Sequence, residues 1–494
     1  MSSRSLWLLA FVGFCLLHAG WALAAPYDGP PDEQAHVHRA AGVMNGEIVA
    51  REAPRGAYQD VPLSLDTGLC FPQKVTVAAD CSRQPGGDED TEKTVGTTAG
   101  RYNPVYYLVT AWPVGVWPNW HGIVLSRLLN GAAMAALLAC AVVVAARWTR
   151  HRAMVAGVVV AATPMIAHLG GAVNPNGVEI AAGVSLFAAL VAVVHEQRQG
   201  VNRAAVALAG VSAAVMVTPR FIGIMWLFVI LGVVLVPSSR ARLRELVKSP
   251  AVRGWSALVV VAAVASVAWT LLIGTADLSG ADRGWAVKDV LRAAFLDTWP
   301  NMANQMVGVM GWAETLMPRL VYVVWFMAVG LLLLGGFAFG GRVDKWRTLV
   351  LFLGTAVPLT AMELITVNTT GWFNQGRYYL TGAVAIPMLG ALIMGKHVLT
   401  GPQTRTMTRM LAVLLLPVQL VCLAYTMTRW QSGLQSVNPF NGSWMPPYGP
   451  LLPLVAATLG VLVLLVMYWR ASRVEVGAGP EREQAPQELA TTAA

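Results

Sequence analysis

The feature that most constrains this 494-residue chain is the recurrence, from one end to the other, of apolar runs about 20 residues long. A helix of that length crosses the roughly 30 Å hydrocarbon core of a bilayer, where every backbone polar group must be satisfied within the protein. The first run covers 6–24. Eleven more follow at 122–146, 153–171, 177–194, 204–217, 221–236, 255–273, 320–340, 349–367, 378–394, 410–427 and 450–468. They predict an all-α polytopic membrane protein with about 12 transmembrane helices. The fifth and sixth are short and divided only by Thr218-Pro219-Arg220, which suits either a re-entrant pair or two tilted helices. Charged residues make up 12% of the chain, about half of what a soluble domain carries.

The formal net charge of +9 sits in short basic blocks between the runs, so it reads as topology and not as a nucleic-acid surface. Arg147/Arg150/Arg152, Arg198/Arg203, the block 240–253, Arg342/Lys345/Arg347, Lys396/Arg405/Arg409 and Arg470/Arg473 fall in one set of alternate loops, which is therefore predicted to be cytoplasmic together with both termini. Residues 1–25 form a first helix, either a cleavable signal or, as favoured here, a retained anchor. Residues 26–120 form an extracytoplasmic segment, 121–470 the multi-helix membrane domain, and 471–494 a disordered tail.

The extracytoplasmic segment opens with Pro26-Tyr-Asp-Gly-Pro-Pro-Asp-Glu-Gln-Ala-His-Val-His-Arg39, a dense group of titratable residues in a charge-poor chain. Cys70 and Cys81 share this segment and are able to form a disulfide if it faces an oxidising compartment. The stretch 86–100 reads as mobile, and the Tyr/Trp-rich stretch from Arg101 to Trp120 as an interfacial belt. In the loop 274–319, Trp285, Val287, Val290, Leu291, Ala294 and Phe295 recur near helical spacing and predict an amphipathic surface helix.

Ionisable residues in membrane spans are costly and tend to mark function. His18, His168, Glu179, Arg220, Glu363 and Arg377 all fall near the outer ends of their runs, on the side of Asp32, Glu33, His36 and His38. Arg377 suits a phosphate group because its guanidinium binds oxyanions in a bidentate manner, and Arg220 is a weaker case. Asn174-Pro-Asn176 before Glu179 reads first as a helix cap. Asp32 and Glu33 can cap a short helix while one of them projects as an acid/base group. His36 and His38 cannot share a helix face, which argues against a two-histidine metal clamp. A divalent cation, magnesium or manganese, held by Asp32 or Glu33 with His36 is left open.

In order along the chain, Pro-Pro-Asp-Glu-x-x-His, Asn103-Pro-x-Tyr-Tyr107, Asn174-Pro-Asn176, Gly308-Val-Met-Gly-Trp312 and Gln375-Gly-Arg-Tyr378 resemble the bacterial membrane-protein family known as domain of unknown function 2142. That family in turn resembles the GT-C glycosyltransferases, including protein mannosyltransferases. The resemblance implies a GT-C-like fold in the bacterial cytoplasmic membrane and transfer of a sugar from a polyprenyl-phosphate donor to an extracytoplasmic glycan, lipid or protein acceptor. It also implies Asp32 or Glu33 as the acid/base residue. His36, Arg220, Arg377, Tyr378, Asn174, Glu179 and Glu363 are the candidate substrate-binding residues. A transporter or flippase of a lipid-linked or polar solute is the alternative, for which internal repeats and polar groups near the bilayer midplane would be expected.

Overall fold

The computed structural model describes residues 2–53, 56–196, 200–274 and 280–473; the predicted tail from 474 onward and Arg198 lie outside them. Helix α1 (Ser3–Ala24) runs into α2 (Glu33–Met44), followed by strands β1 (Arg51–Glu52), β2 (Ala57–Pro62) and β3 (Glu92–Thr97). Short helices α3 (Val105–Thr110) and α4 (Trp112–Val116) lead to α5 (Trp120–Val143), α6 (Met154–Ala161), α7 (Pro164–Gly170) and α8 (Pro175–Val194). Next come α9 (Arg203–Val217), α10 (Ile222–Leu235), α11 (Arg240–Lys248) and α12 (Pro250–Ile273). A connecting region holds α13 (Val287–Ala293), α14 (Trp299–Gly308) and a hairpin of β4 (Val309–Met310) and β5 (Thr315–Leu316). The chain ends with α15 (Arg319–Phe339), α16 (Arg342–Thr370), α17 (Gly376–Ala383), α18 (Ala385–His397), α19 (Gly401–Ser432) and α20 (Leu451–Ala471).

Among the described residues, nine helices are long and apolar enough to cross a membrane: α1, α5 with its continuation to Trp148, α8, α12, α15, α16, α17 continued by α18, α19 and α20. The other three predicted spans are shorter. Run 153–171 is broken between α6 and α7, where Pro164 takes the first position of a new helix. Helices α9 and α10 have 15 and 14 residues. Fifteen residues rise about 22 Å, short of the roughly 30 Å hydrocarbon core.

The bundle is built around α8, all of whose residues are buried. A helix that is apolar on every face has no solvent side, and α8 is enclosed by α5, α9, α10, α17 and α18. Small residues allow close approach. A Cβ at Gly183 would lie 2.5 Å from the Thr381 carbonyl oxygen, and α1 meets α20 across Gly13, Gly20 and Gly460. At the periphery, α12 buries only Ser266 and exposes Val260, Val261, Val264, Leu271 and Leu272, a surface suited to lipid.

The segment between α2 and α3 is more structured than its composition suggests. Strands β1, β2 and β3 form an antiparallel sheet in that order, with Ala57 opposite Thr97 and Pro62 opposite Glu92. Part of the stretch expected to be mobile is thus a paired strand. Cys70 and Cys81 are joined in a disulfide with Cα atoms 6.0 Å apart. The aromatic stretch divides: Tyr106 and Tyr107 are buried, while Trp112 and Trp117 are exposed. In α13 and the π-turn after it, Val290 and Ala294 face inward and Val287, Leu291 and Phe295 outward.

Candidate functional site

Asp32 is the residue before α2, yet its side chain accepts no capping bond. Its φ of 60° is left-handed, a conformation a non-glycine residue adopts only when its surroundings impose it. Capping falls instead to Asp28, whose Oδ1 accepts the Gln34 N–H at 2.9 Å. Burial raises the Asp28 carboxyl well above the usual carboxylate range, opposed by the Gln34 N–H it accepts. With that duty removed, the Asp32 carboxylate turns away from the helix and pairs with Arg377 Nη2.

The neighbouring carboxylate has a different environment. Glu33 is fully buried and accepts four bonds: Arg127 Nε at 2.7 Å, Arg127 Nη2 at 2.5 Å, Val173 N–H at 3.1 Å and Asp28 N–H at 3.2 Å. Arg127, from inside α5, also donates to the carbonyls of Ala22, Ala25 and Pro26. This pair fixes the chain where it leaves α1. Arg127 is absent from the residues singled out in the sequence, although an arginine within an apolar run is the signal that should have found it.

Arg377 lies in the first turn of α17, brought to Asp32 across 345 residues of sequence. Its Nε and Nη1 are buried without a partner. The Tyr378 ring lies between two guanidinium groups, with Arg377 5.2 Å and Arg220 5.0 Å from its centroid. Arg220, at the α9–α10 turn, donates through Nε to Glu179 Oε1 at 3.0 Å and Oε2 at 3.1 Å. Asn174 accepts from Asn176 N–H as the cap of α8 and donates to the Pro31 carbonyl at 3.0 Å, so it both starts that helix and holds the backbone beside Asp32.

His36 faces the same space. Its Nδ1 is 2.8 Å from the Tyr107 hydroxyl, and its ring lies 5.6 Å from that of Tyr102. Burial, reinforced by the Arg377 and Arg220 charges and opposed by Asp32, lowers it to about 3, so the ring is neutral. Tyr102 and Tyr107 are further site residues; in the sequence Tyr102 reads only as interfacial, and Tyr107 as the end of the Asn103–Tyr107 motif with no role assigned.

Several predicted residues stand apart. His38 turns away and meets the Leu65 carbonyl at 3.2 Å. Arg39 donates to the carbonyls of Tyr102, Glu47 and Ile48. His18 bonds Gly131 O, and His168 packs on Trp21 and Trp430. Glu363 accepts the N–H groups of Phe373 and Asn374 at 2.9 and 2.7 Å, holding the turn that enters α17 instead of reaching Asp32. The Gly308–Trp312 motif forms the β4–β5 hairpin, from which Trp312 Nε1 donates to the Asp28 carbonyl at 3.0 Å. Among the described residues no three His, Cys, Asp or Glu side chains cluster as a metal site.

Beside this group is a cavity of about 270 Å³. Arg220, Tyr378, Tyr102 and Asn374 form its polar head, and Phe221, Ile222, Trp269, Leu359, Met362 and Phe373 line its apolar part. The space combines one lining cation, Arg220, at its polar end with a hydrocarbon-lined slot between α10, α12 and α16; Arg377 reaches it only through Tyr378, whose ring both guanidinium groups contact.

Fold and site together define a multi-pass all-α membrane protein with a polar site at the helix ends and an apolar recess beside it. Residues 15–386 match the family described as predicted membrane protein (DUF2142), and the chain belongs to that family. No curated protein matches. Two solved structures have a similar backbone: ArnT from Cupriavidus metallidurans bound to undecaprenyl phosphate, and the same protein in the apo state. Each is 13% identical, with TM-scores of 0.46 and 0.45; they cover 96% and 95% of this chain and 77% of their own.

Proposed function

We propose that this protein is a GT-C-like glycosyltransferase of the bacterial cytoplasmic membrane. It transfers a sugar from a polyprenyl-phosphate donor to an extracytoplasmic glycan, lipid or protein acceptor. The observation that carries the reading is the Asp32–Arg377 pair, joined through the Tyr378 ring to Arg220 and to a recess with Arg220 and Tyr378 at its polar end and apolar walls. A sugar phosphate on a long hydrocarbon chain has the complementary form. The distribution of the basic blocks supports an orientation with both termini in the cytoplasm and this site outside.

In this mechanism the donor phosphate binds Arg220 and Arg377 and draws Arg377 away from Asp32. The released carboxylate takes the proton of the acceptor hydroxyl as its oxygen attacks the anomeric carbon. The bond from that carbon to the phosphate oxygen breaks with inversion, and the bond electrons leave with polyprenyl phosphate, whose charge the guanidinium groups stabilise. Tyr378 spaces the two arginines, and neutral His36 and Tyr107 offer hydrogen bonds to sugar hydroxyls. Asp32 is the base; Glu33, with both oxygens occupied by donors, is structural.

The same donor set suits arginine better than a divalent cation. Glu33 is saturated and the Asp32 carboxylate already faces Arg377. Among the described residues, at most Asp32 and the second ring nitrogen of His36 remain for a metal, fewer ligands than a divalent cation takes from protein sites of this kind, and a chelator should leave turnover unchanged. The deciding experiment incubates purified protein with a radiolabelled polyprenyl-phosphate sugar and a cell-envelope extract. Acceptor-dependent release of polyprenyl phosphate that disappears in Asp32→Asn supports the reading. Lipid scrambling in proteoliposomes that persists in Asp32→Asn, without sugar transfer, would establish a flippase instead.

A further inference from the structure

At the end of the bundle opposite Asp32 there is a second polar recess, of about 370 Å³, that the proposed reaction does not use. It lies where α8, α10 and α18 end and α16 begins. In a chain with 12% charged residues, its wall carries Arg150, His151, His195, Arg347 and Lys396 against the carboxylates of Asp344 and Glu196. Asp344 already has three cationic or basic neighbours: His397 Nε2 at 2.7 Å, Lys396 Nζ at 3.3 Å and Arg347 Nη1 at 4.0 Å. Two carboxylates thus face three permanent cations, Arg150, Arg347 and Lys396, and Glu196 also accepts the Arg150 backbone N–H at 2.8 Å. Arg347 Nε is buried without a hydrogen-bond partner, and the Lys396 side chain is half exposed, with its remaining donors available. The inner wall is apolar, formed by Phe187, Val191, Val233, Leu389 and Ile393.

We infer that this recess is a binding site for a phosphate group, held by Arg150, Arg347 and Lys396. Three features of the geometry lead to this conclusion. The excess of donors over acceptors calls for an anion, and guanidinium and ammonium groups match phosphate oxygens. The site lies at helix ends that carry the basic flanks of the membrane spans, the level at which bilayer phosphates sit. The apolar wall next to the cations can accept the first methylenes of a chain attached to the phosphate. A phosphodiester lipid headgroup and free inorganic phosphate share the chemistry the cations recognise. Occupancy would join α8, α16 and α18 through their ends, and so stabilise the protein by linkage.

The test uses the full-length protein in a neutral detergent. Thermal unfolding and native mass spectrometry are measured with phosphatidylglycerol, with phosphatidylcholine and with inorganic phosphate. Phosphatidylglycerol should bind and raise the unfolding temperature where phosphatidylcholine does not. Lys396→Gln and Arg150→Gln, both on the exposed rim, should each weaken binding by about ten-fold or more. Arg292→Gln, an exposed basic residue of α13 outside both sites, should leave it unchanged. If inorganic phosphate alone protects, and loses its effect in the same variants, the ligand is free phosphate and the site stands. Equal response to both lipids and none to phosphate overturns the inference, as does unchanged binding in Lys396→Gln and Arg150→Gln that unfold at the wild-type temperature without ligand.

Discussion

Adjacent carboxylates with opposite duties make the first distinction at the scale of single residues. Asp32→Asn keeps an amide oxygen for Arg377 but removes its counter-charge, so some stability should be lost, less than at Glu33 because the Asp32 side chain is partly exposed and Arg377 keeps its cation–π contact with Tyr378. Transfer should fall by roughly 10²- to 10⁴-fold, the usual contribution of a general base. Glu33→Gln should instead lower stability by about 3–5 kcal/mol, because Arg127 is then buried without its counter-charge. Sugar-transfer kinetics beside thermal unfolding separates the two, and an Asp32 variant that folds at working temperature and keeps full transfer would reverse the assignment. The neutral histidines of α2 give a pH signature. His36 is held near 3 and His38 is also lowered, both by burial first. Above about 6.5 both rings are neutral folded or unfolded and contribute no pH dependence. Below that value the unfolded chain takes up protons that the folded chain refuses, so stability should fall as pH drops from about 6.5 towards 3. The double variant His36→Gln/His38→Gln should flatten the slope of unfolding temperature against pH over that window.

At the scale of elements, the joints between helix ends decide where the site residues lie. Asn174 caps α8 and holds the Pro31 carbonyl, so Asn174→Ala should cost about 0.5–2 kcal/mol from the cap alone. Because the same change frees the backbone beside Asp32, turnover should drop by more than the stability change implies. Equal losses in Asn174→Ala and in a cap variant far from the site, such as Asn202→Ala on α9, would reduce Asn174 to a cap. These joints also show what was legible in the sequence. Apolar periodicity located the helices, since burial and lipid contact both act on every residue of a run. Asp32 and Arg377 were legible as rare charges in a charge-poor chain. The break at Pro164 and the short α9 and α10 were less so, because an apolar segment that ends inside a bundle has the composition of one that crosses it. Arg127 carried the signal of an arginine inside an apolar run and was passed over, whereas Tyr107 stood in a motif but its contact with His36, 71 residues away, is set by the fold. The capping role of Asp28 was hidden too, since it depends on the left-handed turn at Asp32, a property of the packed loop.

For the whole molecule, the central question is why the polar site and the apolar recess belong to one reaction. Helix α8 carries Glu179 at one end and is sealed from lipid along its length, so charge is confined to the bundle's ends. Helix α12, by contrast, touches its neighbours lightly, and the recess lies between it, α10 and α16. In the proposed reaction a donor with a long hydrocarbon chain would reach Arg220 from the side, through the bilayer, with its tail along Ile222, Leu359 and Met362. This arrangement makes chain length a variable the protein should sense. Thr366→Trp, on the α16 wall of the recess, fills tail space without touching Asp32, Arg377 or Arg220. The variant should raise KM for a long-chain polyprenyl-phosphate sugar by about ten-fold or more, since each methylene kept in water forfeits about 0.8 kcal/mol. Its kcat should remain near wild type, because the reacting groups are unmoved. A donor analogue shortened to one or two isoprene units should bind the variant and the wild type alike. Equal KM increases for long and short donors would mean that the introduced indole disturbs the headgroup site, and the tail would then have to leave the protein by another face.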